Sequence, residues 1–143
     1  MPASDLDEVI ERYHRTVGAF VKGDPEPQKR LWSRRDDVTL ANPLGPPARG
    51  WHQVAEILDR AASQLREGEH DGFERISEYA TADLAYMLEI ERARVRIGGT
   101  PGITPVALRV TTIFRREDGE WRIVHRHADP ITTPRSPEYL VQQ

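Results

Sequence analysis

The chain contains no cysteine, which excludes disulfides, thiolate metal sites and a cysteine nucleophile together. It also lacks an excess of one charge. Charged residues make up 30% of the chain with both signs mixed, for a net charge of −3, so there is no basic stripe for nucleic acid and no basic amphipathic helix for a membrane surface. No apolar run approaches the roughly 20 residues of a membrane-spanning helix. The first residues carry Asp5, Asp7 and Glu8 and no apolar centre, unlike a signal peptide. No phosphate-cradling loop or dinucleotide fingerprint is present, and no serine or threonine has an assignable histidine partner. The expectation is a soluble, cytoplasmic protein that uses no cofactor and no metal. Its 143 residues suit one domain, with a core over 1–129 and an extended tail over 130–143.

What is present divides into helices first and strands after. Ser4 is placed to cap a helix in which Leu6, Ile10, Tyr13, Val17 and Val21 recur at helical spacing until Gly23. Asp24-Pro25 restarts a short helix that ends near Leu31-Trp32. Residues 38–42 read as a strand running into a Pro/Gly-rich loop. Trp51, Val54, Leu58, Ala62 and Leu65 then mark a third helix, closed by Gly68. Residues 71–80, 84–97, 105–116 and 120–129 read as four strands. This order predicts an α+β fold in which a bent, mainly antiparallel sheet wraps around three helices.

The last hairpin decides which residues face inward. A two-residue turn at Asp118-Gly119 would set Glu117 against Glu120, a like-charge pair. A three-residue loop instead sets Arg116 against Glu120 and is the expected register. It turns Val110, Thr112, Phe114, Val124 and Arg126 inward, and Arg109, Thr111, His125 and His127 outward, with Glu89 and Glu91 beside them. A one-residue slip would reverse the histidines and bring them inside.

Two segments carry a family resemblance. Asp36-Asp37-Val38-Thr39-Leu40-Ala41-Asn42-Pro43-Leu44-Gly45, with Gly50, is similar to the catalytic turn of ketosteroid isomerases. Arg115 to His127 (RREDGEWRIVHRH) is similar to the closing hairpin of SnoaL-like proteins and of the calmodulin-dependent kinase association domain. The chain therefore resembles the nuclear-transport-factor-2-like superfamily, which implies a cone-shaped, cystatin-like roll with an internal ligand pocket. In the isomerases that pocket holds an aspartate base with a tyrosine and a protonated acid as oxyanion donors. Carried over, Asn42 takes the base position, Thr112 the place of the acid, and the tyrosine position falls near Thr16, one turn after Tyr13. Asn42 cannot accept a proton at neutral pH, so the resemblance implies the fold more firmly than the chemistry.

Two functional readings follow. In the first, a SnoaL-like enzyme isomerises, cyclises or dehydrates a small hydrophobic metabolite bearing a carbonyl or carboxylate. Asn42 and Thr112 polarise the carbonyl, Arg126 and Arg92 hold an anionic end, and Tyr13 and Trp32 complete the wall. In the second, the same pocket binds a small molecule or supports oligomerisation without catalysis. For each residue a plainer role stands beside the functional one. Asn42 is also a turn former, Arg92 and Arg126 also rim salt bridges, and Tyr13 and Trp32 also core. His125 and His127 alternate with Asp129 and would bind a metal only if Glu89 or Glu91 completed the set. Otherwise they form a polar network at a subunit interface. A homodimer through the outer sheet face (Glu89, Glu91, Arg109, Thr111, His125, His127) is expected. His14 and His52, off the apolar stripes, are read as solvated.

Overall fold

The computed structural model describes residues 5–142. The Ser4 cap lies outside that range. Helix α1 (Asp5–Phe20) buries Val9, Ile10, Tyr13, Thr16 and Val17 along one stripe, as the spacing predicts. The short α2 (Glu26–Lys29) follows Pro25, and Asp24 Oδ1 accepts the Glu26 N–H at 3.1 Å. Strand β1 (Thr39–Ala41) runs into the Pro/Gly loop. Its return, β2 (Ala48–Arg49), pairs antiparallel with β1 and is too short for any periodicity to reveal. Gly50, at φ 88°, precedes α3 (Trp51–Ser63) and donates its N–H to Val38 O at 2.8 Å. Four long strands follow: β3 (Leu65–Ala80), β4 (Leu84–Ile97), β5 (Thr104–Glu117) and β6 (Glu120–Asp129). Beyond Asp129 the chain is mostly irregular, with one 3-10 turn over Pro137–Leu140.

The strands form one curved six-stranded sheet in the order β2-β1-β6-β5-β4-β3, antiparallel except where β1 runs parallel to β6. The α+β expectation holds. The core joins Val9, Tyr13 and Val17 of α1, Val54 and Leu58 of α3, and Leu40, Met87, Phe114 and Ile123 of the sheet. That packing makes one face of the sheet the interior. Among the described residues no helix is long and apolar enough to cross a membrane.

Three local expectations are corrected. The helix expected to end at Gly68 stops at Ser63, and the strand expected from 71 begins at Leu65, paired with Ile97. Gly68 lies in that strand, donating its N–H to Val21 O at 3.0 Å. A Cβ on Gly68 would stand 2.4 Å from the same oxygen, so the residue marks a close approach rather than a helix end.

The closing hairpin takes the two-residue turn, with Asp118 and Gly119 at φ 52° and 81° and Glu117 opposite Glu120. The like-charge pair is relieved because each glutamate has its own arginine. Arg115 Nη2 lies 2.7 Å from Glu117, and Arg122 Nη2 lies 2.6 Å from Glu120. A bulge between Ile113 and Phe114 then leaves Val124 without an opposite residue, so that Thr112 faces Arg126 and Thr111 faces His127. The turn shifts the register by one and the bulge by one more. Beyond the bulge the sum is even, so the faces come out as expected even though the partners do not. Between turn and bulge the shift is odd, and Trp121 and Ile123, expected on the outer face, lie in the core.

The third correction has most bearing on the site. Glu89 and Glu91, expected on the outer face, point inward and are 1% and 6% exposed. Leu88 and Ile90 lie on the outer face instead, and Arg92 is exposed there, bonded to Glu74 at 2.9 Å.

Candidate functional site

The inward faces of β4, β5 and β6 present Met87, Thr112 and Arg126 in one row and Glu89, Val110 and Ala128 in the next. Leu40 of β1 pairs with Arg126, so Asn42, two residues on, arrives beside that arginine. From above, α1 lays Tyr13 and His14 onto the same region.

Arg126 is the hub. Its Nε donates to the Tyr13 hydroxyl at 3.0 Å, Nη1 to Asn42 Oδ1 at 3.1 Å and Nη2 to Glu91 Oε1 at 3.0 Å. The Tyr13 hydroxyl in turn donates to Glu91 Oε2. Guanidinium, carboxylate, phenol and amide thus close a buried network spanning α1, the end of β1, β4 and β6. Burial pushes the Tyr13 hydroxyl up, outweighing the nearby guanidinium, so Tyr13 stays protonated and acts as a donor. Burial opposes the charge on Arg126, but Tyr13 and Glu91 outweigh it and hold the side chain protonated.

A second chain of contacts lies alongside. His14 Nε2 is 2.8 Å from Glu89 Oε1, and Arg75 Nε donates to Glu89 Oε2 at 2.8 Å. Burial alone would raise the Glu89 carboxyl, but the bonds to His14 and Arg75 prevail and hold it below its ordinary value. An ionised carboxylate can only accept, so His14 carries its proton on Nε2. The His14 ring stacks on Phe73 of β3, with centroids 3.8 Å apart and planes 13° from parallel.

The remaining expected residues divide. Thr112 sits fully buried opposite Arg126, and its hydroxyl has no protein partner among the described residues. Trp32 is core, bridged to Ile123 at the hairpin end, with its indole N–H likewise unpartnered. Arg92 is outside the site. His125 faces outward with its Nδ1 2.7 Å from Thr39 Oγ1, and burial and the adjacent His127 lower its affinity for a proton. Glu89 and Glu91 lie on the opposite face of the sheet and cannot complete a metal site with these histidines. Arg126, expected to hold a ligand anion, has already committed three of its N–H groups to the protein. Two open clefts of about 450 and 470 Å³ flank the closing hairpin and are lined by Arg30, Arg122 and Glu120 among others. Neither reaches the Arg126 network.

Sequence reasoning missed His14, Glu89, Glu91 and Arg75. On β4 the even-numbered residues Tyr86, Leu88 and Ile90 are the more hydrophobic set, which points to the wrong face. The facing of β4 is set by its pairing with β5, in which Glu89 meets Val110. That register depends on the loop between Val95 and Thr104, whose Gly-Gly-Thr-Pro-Gly sequence admits several turns.

The comparisons fit this architecture. Residues 7–132 match the SnoaL-like domain. The chain belongs to the SnoaL-like domain family. A nuclear transport factor 2 (NTF2-like) superfamily protein from Salmonella enterica serovar Typhimurium superposes with a TM-score of 0.78 at 19% identity, covering 94% of this chain and 96% of its own. An NTF2-like family protein from Streptomyces avermitilis, provisionally described as a dehydratase, gives 0.74 at 19%, covering 93% and 100%. A ketosteroid isomerase-like protein from Erwinia carotovora atroseptica gives 0.71 at 21%, covering 88% and 96%. No curated protein matches the sequence. At these identities the solved structures establish the fold alone, the NTF2-like roll also called cystatin-like.

Proposed function

We propose that this SnoaL-like domain protein binds a small hydrophobic metabolite bearing a carbonyl or hydroxyl group and transforms it without a cofactor, by isomerisation, cyclisation or dehydration. The observation that carries the reading is the state of Asn42. Arg126 occupies its Oδ1, which turns the amide NH₂ into a positioned donor, while the Tyr13 hydroxyl proton is already given to Glu91. A donor fixed in a buried, low-dielectric setting favours negative charge developing on a ligand oxygen. The dehydratase and isomerase-like descriptions of fold neighbours are consistent with such chemistry. An uncharged ligand suits the interior better than a carboxylate, because Glu91 already neutralises Arg126.

A non-catalytic binding module is favoured by a different observation: every oxygen of Glu89 and Glu91 is already engaged, leaving neither as a free base. Equilibrium titration with 2-tetralone, 1-indanone and cyclohexanone, followed by protein NMR, tests the shared premise. Saturable binding weakened roughly tenfold by Asn42→Ala, the worth of one hydrogen bond, supports it. Absence of binding by all three ketones, or equal binding by the variant, removes the role given to Asn42.

The working form is proposed to be a homodimer through the outer sheet face. Tyr79 and Tyr86, 65% and 40% exposed, pair there with each other and continue through Ile113 to His125. Leu88, Thr111 and His127 form the next row, and Ile90, Arg109 and Asp129 the one after. An apolar band of this length, with charges at its rim, fits a self-complementary contact.

A further inference from the structure

We infer that His14 is the proton acceptor of this site, taking the part that Asn42 cannot play, with Glu89 as the residue that positions it. This rests on the carbonyl chemistry proposed above and adds the group that would move the proton.

The argument is one of elimination and geometry. Four carboxylate or imidazole groups lie on the inward side beneath α1: Glu89, Glu91, His14 and His70, the last exposed beside Gly18 and Phe73 with no hydrogen-bonded carboxylate to orient it among the described residues. Glu89 is bonded through Oε1 to His14 and through Oε2 to Arg75, and Glu91 through Oε2 to Tyr13 and through Oε1 to Arg126. Each carboxylate is thereby held by two donors and is a poor base. His14 differs. Its Nε2 proton is donated to Glu89, which leaves a lone pair on Nδ1 with no partner among the described residues. The side chain is 23% exposed while its carboxylate partner is 2% exposed, so the ring stands at the boundary between the buried network and solvent, where a ligand can arrive. Stacking on Phe73 fixes the ring plane. A buried carboxylate behind a histidine orients the tautomer and stabilises the imidazolium that forms on proton transfer.

The step balances without a co-reactant. Nδ1 of His14 takes the proton from the carbon beside the ligand carbonyl. The C–H electron pair becomes a C=C bond, and the carbonyl π electrons move to the oxygen, towards the Asn42 amide donor. Return of the proton to the same or another carbon restores the neutral imidazole. The groups around His14 are Glu89 from β4, Phe73 from β3 and Tyr13 from its own helix at 5.9 Å between ring centroids, with Arg75 of β3 acting through Glu89 and His70 of β3 packed on Phe73 at 5.1 Å between centroids.

The test is deuterium exchange at the α-carbon of 2-tetralone, 1-indanone and cyclohexanone in D₂O, followed by NMR for the wild type, His14→Gln and Glu89→Gln. Glutamine at 14 keeps an N–H donor for Glu89 but has no basic nitrogen, so a merely structural His14 would be replaced without loss. The expected result is a fall of about 100-fold or more for His14→Gln at unchanged Tm, the usual worth of a positioned base. Glu89→Gln should retain part of the rate and move the midpoint of its pH profile downward, because an imidazole that loses its carboxylate partner holds a proton less tightly. Exchange by His14→Gln at the wild-type rate overturns the role of His14 and leaves the carbonyl reading standing. Failure of the wild type to exchange any of the ketones overturns both.

Discussion

Arg126 draws together side chains separated by as many as 113 positions, since its partners include Tyr13, Asn42 and Glu91. A guanidinium suits that place because its donors fan out in one plane, and it is less strongly hydrated than an ammonium. Burying it stabilises little by itself, since desolvation offsets much of the attraction to Glu91. Breaking the pair is another matter. Arg126→Met strands the Glu91 charge and should cost about 3–5 kcal/mol in denaturant unfolding. The double variant Arg126→Met, Glu91→Met should unfold at a higher denaturant concentration than the single one. If it does not, the network's value lies in its hydrogen bonds to Tyr13 and Asn42 rather than in the paired charges.

Elements are placed by short-range devices that differ in how plainly they show. The strand β3 crosses the end of α1 so closely that Gly68 has no room for a side chain. Gly68→Ala should therefore destabilise by about 1–3 kcal/mol in thermal or denaturant unfolding, the usual cost of overpacking. An unchanged midpoint would show that the strand can move away from Val21. That glycine also shows why the sequence was partly legible. It is visible as a breaker, and a breaker after a helical pattern reads as a helix end. What it breaks for, a backbone contact 47 residues away in the chain, is not a local property. The same holds at the closing hairpin, where Glu117 and Glu120 repel in isolation but are paired with Arg115 and Arg122 in the fold. Helix α1, the limits of β4 and β6 and the inward facing of Thr112 and Arg126 were legible, because regular patterning carries them. The facing of β4 was not, since its outer side is the oilier one. With it went Glu89, Glu91 and the importance of His14.

At the scale of the molecule, the oily outer side of β4 asks for cover. Leu88 lies near the middle of that face, between Ser77 of β3 and Thr111 of β5. In the proposed homodimer a charge there would face its own copy across the contact. Leu88→Arg should therefore give a monomer by analytical ultracentrifugation while the wild type sediments as a dimer. A monomeric wild type would refute the contact, and a dimeric variant would move it elsewhere.

The strand order has a bearing on synthesis. β6 is made after the other five strands, yet it lies inside the sheet, between β1 and β5. As the chain leaves the ribosome, β1 waits without its neighbour, and Glu91 and Tyr13 wait for the guanidinium that neutralises one and accompanies the other. Completion thus depends on a late, long-range insertion, the kind of step that slows folding and leaves strand edges open to aggregation meanwhile.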